Sequence, residues 1–221
     1  KVVAISSKVK EVMETYDAGV DAQIVPSSYA SLAFAENSVG KLNDKYREKF
    51  VVGHVGALVD SDKGQMQIIK AAKKLATQYP DMHFMLVGQG KDEKLFRKAA
   101  QDYGNIEMVG FKSNVGDYYK LFDTFVYPSY REGLGSAVLD AFYFRLPVIA
   151  SDAGGLPDLV KHERTGLVIK PGAVDSLCES IVRLYRNPDF ARTLGEKGYQ
   201  SLRKFDISKA AEKYADMYNR I

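Results

Sequence analysis

Short runs of β-branched and other apolar residues alternate along the chain with longer stretches whose apolar positions recur every three or four residues. The short runs, at 2–5, 23–26, 51–58, 83–87, 106–109, 124–127, 148–150 and 166–169, predict strands. The longer ones, at 8–16, 64–79, 93–103, 116–121, 136–144, 156–160 and 174–185, predict amphipathic helices, and two or three further helices fill 188–221. This is the order expected of βα units around a parallel sheet, so the predicted class is α/β. The alternation breaks at 27–50, where Ser, Ala, Asn and charged residues predict a linker. Before the break stands a single βαβ unit, too small to hold a core of its own, and after it a full α/β domain.

Bulk properties narrow the picture. With 221 residues and 46% apolar content the chain can bury a sizeable core. The single Cys178 excludes an internal disulfide and fits a reducing compartment. No run reaches the ~20 apolar residues of a membrane span, so the expected location is cytoplasmic. A net charge of +3, from 31 basic and 28 acidic residues, is too mixed to indicate nucleic acid as a partner. His54, His83 and His162 are scattered without metal-ligand spacing, and no metal site is expected.

The chemistry concentrates in 128–158. Pro128-Ser129 is followed by Glu132, then Gly133-Leu134-Gly135-Ser136 at the start of a predicted helix, then Asp140 eight positions after the first acid. A helix N-terminus offers unpaired N–H groups and a positive dipole end, which together attract phosphate. Gly133 and Gly135 lack a Cβ and let a ligand approach the backbone, although an ordinary strand-to-helix turn uses glycines too. Asp140, hemmed by Val138, Leu139, Phe142 and Phe144, is placed at the edge of a buried face.

Four other strand exits carry weaker signals. Gly56-Ala57-Leu58 leads to Lys63, which alone reads as a surface lysine and beside a phosphate would act as a point charge. Gly88-Gln89-Gly90 does not amount to a dinucleotide fingerprint. Phe111, Lys112 and Ser113 stand at the carboxyl edge of the sheet, where ligands of α/β folds bind, with Phe111 assigned by residue type to the core. Gly154-Gly155-Leu156-Pro157-Asp158 reads as structural throughout.

Taken in order, these segments resemble the C-terminal, nucleotide-sugar-binding half of the GT-B glycosyltransferases, in particular retaining family 4. The features carrying the resemblance are Pro128-Ser129, Glu132, Asp140, the stretch from Pro147 to Ser151, and Gly154-Gly155-Leu156-Pro157-Asp158. The resemblance implies a Rossmann-like doubly wound parallel sheet. It implies that Glu132 contacts donor-sugar hydroxyls and that backbone N–H groups of Gly133, Leu134, Gly135 and Ser136 hold sugar and diphosphate. Asp140 would take the ribose hydroxyls and Lys63 the diphosphate, with Gly56, Ala57, Gly88 and the loop of Phe111, Lys112 and Ser113 around the rest of the donor. Four positions depart from the family pattern. Ala57 stands for an arginine, Asp140 for a longer glutamate, and Pro26-Ser27-Ser28 for Pro-Asn-Gly.

The resemblance also divides the chain. Residues 1–27 would be a remnant of an N-terminal acceptor domain, 28–49 the linker, 50–205 the donor-binding domain and 206–221 a helix crossing back. About 100–200 upstream residues would be absent, which makes this piece inactive alone and its apolar N-terminal remnant prone to self-association. The implied substrate is a nucleoside diphosphate sugar, UDP favoured, with no cofactor. The implied partner is an acceptor glycan or lipid-linked sugar, met at the inner face of the cell membrane through peripheral contact. A non-catalytic sugar-nucleotide-binding subunit and a sugar-nucleotide epimerase are the alternatives.

Overall fold

The computed structural model describes residues 2–219. The first residue of the 1–27 span and the last two of the 206–221 span therefore lie outside the described residues. Among the described residues there are two parallel sheets. The small one pairs β1 (Val2–Ala4) with β2 (Ala22–Ile24) on either side of α1 (Ser7–Tyr16), none of whose residues is buried. The large one has six strands: β3 (Phe50–Val55), β4 (Met82–Val87), β5 (Ile106–Gly110), β6 (Thr124–Tyr127), β7 (Val148–Ser151) and β8 (Leu167–Ile169). They lie in the order β5-β4-β3-β6-β7-β8, all parallel. The chain winds outward from β3 in one direction and then from β6 in the other. The strand order thus reverses between β3 and β6, and the crevice outside their carboxyl ends is where open α/β sheets bind ligands.

Alternation within each strand feeds two cores. Val51, Met85, Phe125 and Val148 point to one face, where α6 (Val115–Leu121), α7 (Ser136–Tyr143) and α8 (Leu156–Leu159) supply Tyr119, Leu139, Phe142 and Leu156. Their neighbours Val52, Phe84, Val126 and Ile149 point to the other. That face is closed by α4 (Gln65–Leu75) and α9 (Val174–Arg186) through Ile68, Ala72, Leu177 and Ile181, and α5 (Glu93–Ala100) packs its Phe96 with Leu58 and Ile69. Every residue of β4 is buried, as a strand covered on both faces requires.

The segment read as a linker contains a helix, α2 (Glu36–Tyr46). Val39 and Tyr46 are buried and Leu42 packs beside them, spacings of three and four that place all three on one face. Tyr46 also donates to Glu107 Oε2 at 2.5 Å, tying α2 to β5. The helix expected from residue 64 is preceded by a one-turn helix, α3 (Asp60–Lys63), which ends at Gly64 in the left-handed region. Beyond β8 and α9 come α10 (Pro188–Ser201), a 3-10 turn (Leu202–Phe205) and α11 (Ile207–Tyr218), where Lys213 Nζ reaches back to the Ile24 carbonyl at 3.1 Å. Among the described residues no helix is long and apolar enough to cross a membrane.

The C-terminal end of α7 closes with paired hydrogen bonds, Leu146 N–H to the Ala141 carbonyl and Arg145 N–H to the Phe142 carbonyl. This Schellman arrangement puts its left-handed residue where glycine is usual, and here it is Arg145 with φ 57°. A side chain there costs about 1 kcal/mol.

Candidate functional site

The loops leaving β3 and β6 at the reversal point carry the charged centre of the site. Lys63 Nζ meets Glu132 Oε2 at 2.5 Å, with only 21% and 12% of the two side chains exposed. Lys63 also donates to the Tyr127 hydroxyl at 3.3 Å, and Glu132 Oε1 accepts from the Gly133 N–H at 3.2 Å. A distance of 69 residues in sequence is bridged because α3 lies against the exit of β6. There the Tyr130 and Arg131 N–H groups both donate to the Asp62 carbonyl. Asp60 fixes α3 from within, taking the Met66 N–H at 2.7 Å while its own N–H donates to Asp92. Lys63 thus stands at the last position of a braced turn and not in an open loop.

Next to this pair opens a cavity of about 410 Å³ whose walls include Gly56, Ala57, Gly88, Phe111 and Lys112. Gly88, at φ 144°, approaches so closely that a Cβ there would lie 2.0 Å from the Gly56 carbonyl oxygen. Phe111, assigned by type to the core, is 67% exposed at the cavity rim, because β5 ends at Gly110 and the chain turns outward. Ser113 lies exposed in the same loop. Leu134 sends its side chain into the core beneath α7, leaving only its backbone for a ligand. Gly135, at φ 93°, and exposed Ser136 form the start of α7.

Asp140 lies against the segment that precedes α2. Its Oδ1 accepts the Ala30 N–H at 3.1 Å, joining α7 to that segment. Burial pushes its carboxyl up to about 6, against the opposing pull of the Ala30 hydrogen bond. A carboxyl raised above its unfolded value favours the protonated state on folding, so its contribution to stability grows as pH falls through about 6 towards 4. Denaturant midpoints of wild type and Asp140→Asn should therefore diverge in favour of wild type between pH 7 and 4.5. A constant difference over that interval would contradict the shift.

Three contributors escape a reading of residue types. His54, wholly buried in β3, stacks on Tyr127 with ring centres 5.5 Å apart, and its Nδ1 lies 2.9 Å from the Val126 carbonyl. That contact places the proton on Nδ1 and leaves Nε2 to accept from the Gln65 amide at 3.3 Å. Burial lowers the His54 pKa to about 4, with Lys63 nearby adding to the effect and the Val126 hydrogen bond opposing it, so the ring is neutral at physiological pH. Gln65 in turn donates to the Ala57 carbonyl at 2.7 Å, anchoring the cavity wall from below. The only hint in the sequence is a histidine inside an otherwise apolar strand. Asp158, read as structural, accepts both the N–H and the hydroxyl of Ser7, at 2.7 and 2.6 Å, and thereby clasps the start of α1 against the Glu132 loop. Among the described residues no group of three or more His, Cys, Asp and Glu is arranged to hold a metal ion.

Residues 39–201 match the family described as Glycosyl transferases group 1. The chain belongs to that family. Among relatives of this group 1 domain, it is 25% identical over 234 residues to the capsular polysaccharide biosynthesis glycosyltransferase CapM of Staphylococcus aureus, covering 99% of this chain and 61% of CapM. It is 30% identical over 148 residues to a GDP-mannose-dependent alpha-(1-6)-phosphatidylinositol monomannoside mannosyltransferase of Mycobacterium tuberculosis, covering 62% of this chain and 38% of that enzyme. Among solved structures, Anabaena HepE in complex with UDP and glucose superposes with a TM-score of 0.87 at 21% identity, over all of this chain and 63% of HepE. The fold is thus that of the GT-B glycosyltransferases. The group 1 chain spans about half to three-fifths of the length of the curated relatives it matches first.

Proposed function

We propose that the intact protein is a retaining glycosyltransferase of family 4. In this reading it moves a sugar from a nucleoside diphosphate sugar, UDP favoured, to a glycan or lipid-linked acceptor during polysaccharide or lipopolysaccharide synthesis. The observation that carries the proposal is the Lys63–Glu132 pair beside the start of α7, at the crevice where the strand order reverses. Departure of a nucleoside diphosphate needs positive potential fixed in advance where charge develops. Lys63 and the N–H groups opening α7 would supply it, so the reading requires no cofactor. Glu132, held by Lys63 and the Gly133 N–H, offers acceptor oxygens to sugar hydroxyls and is assigned to positioning. The cavity between Gly56 and Phe111 is the place for the base, with Lys112 at its edge. Asp140, held by Ala30, keeps a second oxygen for the ribose.

The printed names of the relatives point the same way. CapM is named for capsular polysaccharide biosynthesis, and HepE was solved with UDP and glucose. Both matched enzymes from Staphylococcus and Mycobacterium bear transferase names, which favours transfer over epimerisation or a purely binding role. The acceptor site belongs, in this proposal, to the part of the relatives that the chain does not span, reached by peripheral contact at the inner face of the cell membrane. Titration of UDP, GDP, UDP-glucose and UDP-N-acetylglucosamine into the 221-residue chain should give saturable binding in the range of about 1 µM to 1 mM for at least one of them, with UDP compounds ahead of GDP. Flat calorimetric traces for all four would overturn the donor-site reading.

A further inference from the structure

The last turn of α7, at the opposite end of that helix from Gly135 and Ser136, borders a second cavity. Six residues line about 240 Å³: Phe34, Lys120, Tyr143, Phe144, Arg145 and Tyr199. The eight residues of α7 separate it from the donor centre by about 12 Å of helix. Its rings are set at angles to one another, with Phe34 edge-on to Phe144 at 6.1 Å and Tyr143 edge-on to Phe144 at 5.4 Å. Each of its two cations is steadied by a ring. Lys120 Nζ lies 4.7 Å from the centre of Phe34, and the Arg145 guanidinium stacks 3.7 Å from the centre of Tyr199 while pairing with Glu196. Among the described residues no carboxylate lies within ion-pair distance of Lys120.

Arg145 is the informative residue. It occupies the left-handed closing position of α7, where glycine would relieve the backbone, and the carbonyl of that turn is held so tightly against α10 that a Cβ on Gly195 would lie 2.0 Å from it. A local choice that works against the fold marks positions kept for another purpose. What the choice gains is a planar fork of donors at the rim of an aromatic hollow, suited to a carboxylate or phosphate. Aromatic faces carry negative charge density and attract the C–H bonds that line one side of a pyranose ring. A membrane surface would need rings that protrude, whereas these line a concavity. We propose that this cavity is a second saccharide site, taking one residue of an acidic glycan. The sugar's apolar face lies on the aromatic wall and its carboxylate or phosphate sits between Lys120 and Arg145. The inference goes beyond the donor site and does not depend on it.

The test is a set of calorimetric titrations of trigalacturonate, galactose 6-phosphate, maltotriose and inorganic phosphate into wild type, Lys120→Ala and Arg145→Gly. UDP is titrated in parallel. At least one acidic saccharide should bind about tenfold more tightly than maltotriose or inorganic phosphate, and each variant should lose about tenfold in that affinity. Whichever of the two acidic ligands binds better identifies carboxylate or phosphate as the recognised group. Arg145→Gly should melt no more than about 2 °C below wild type, since strain is relieved as an exposed ion pair is lost. Equal affinity for maltotriose, or unaltered binding in both variants, would overturn the proposal. So would a large fall in melting temperature for Arg145→Gly with Lys120→Ala silent, which assigns Arg145 to structure. Binding to phosphatidylglycerol vesicles without binding to either acidic saccharide would place a membrane there instead. If UDP, GDP and both UDP-sugars all fail to bind wild type while an acidic saccharide succeeds, the donor-site reading falls and the second site stands.

Discussion

Lys63→Ala should lower kcat/KM of sugar transfer by the intact protein about 10²–10³-fold, or roughly 3–4 kcal/mol. Two effects combine. The cation that would face the leaving diphosphate disappears, and Glu132, only 12% exposed, is left as a carboxylate without its counter-charge. Glu132→Ala should cost a comparable factor through lost sugar positioning. Because the two side chains touch at 2.5 Å, the losses should not add, and the double variant should fall well short of the product of the singles. Steady-state kinetics on wild type, both single variants and the double variant measure the coupling. Strict additivity would show that the pair does not act as a unit in the transition state. Activity within threefold of wild type for Lys63→Ala would remove Lys63 from the mechanism altogether.

Gly154→Ala should destabilise the fold by about 3 kcal/mol and lower Tm by roughly 6–12 °C. Gly154 holds φ 55°, and an added Cβ would lie 1.8 Å from the Glu132 carbonyl oxygen, with the Glu132 carbonyl carbon at 2.7 Å. Backbone faces backbone there, so no side-chain rotation relieves the contact. The loop bearing Glu132 must move, breaking the hydrogen bond from the Gly155 N–H to the Glu132 carbonyl at 3.1 Å. Thermal melting in parallel with UDP-sugar titration should show both stability and donor affinity falling. A variant that melts like wild type would mean that the loop shifts without cost.

The large sheet was legible because its strands are short apolar runs bounded by glycine, proline or aspartate. Examples are Phe50–Val55 before Gly56 and Thr124–Tyr127 before Pro128. The helix Glu36–Tyr46 was not, although Val39, Leu42 and Tyr46 share a face. Its Asn, Ser and Gly residues are poor helix formers, and packing against the sheet decides the matter. Glu132 and Lys63 were legible as candidates, but their direct contact was not. It depends on Asp62 receiving two N–H groups from the β6 exit, a backbone relation that residue types do not record. Asp140 shows the same limit: its hydrogen-bonding partner, Ala30, lies 110 residues away and contributes only a main-chain N–H. The buried His54 ring and the Gln65 amide nitrogen bond to each other and to the Val126 and Ala57 carbonyls, partners that residue types do not record.

The clasp between Asp158 and Ser7 joins α1, which buries nothing of its own, to the turn that supports Glu132. A helix without a buried face has little to resist local opening, so its exchange with solvent is governed by what holds its first turn. A ligand that steadies the Glu132 loop should therefore also slow amide exchange at the start of α1, a segment it need never touch. Hydrogen exchange with and without UDP would then read occupancy of the crevice from the N-terminal unit.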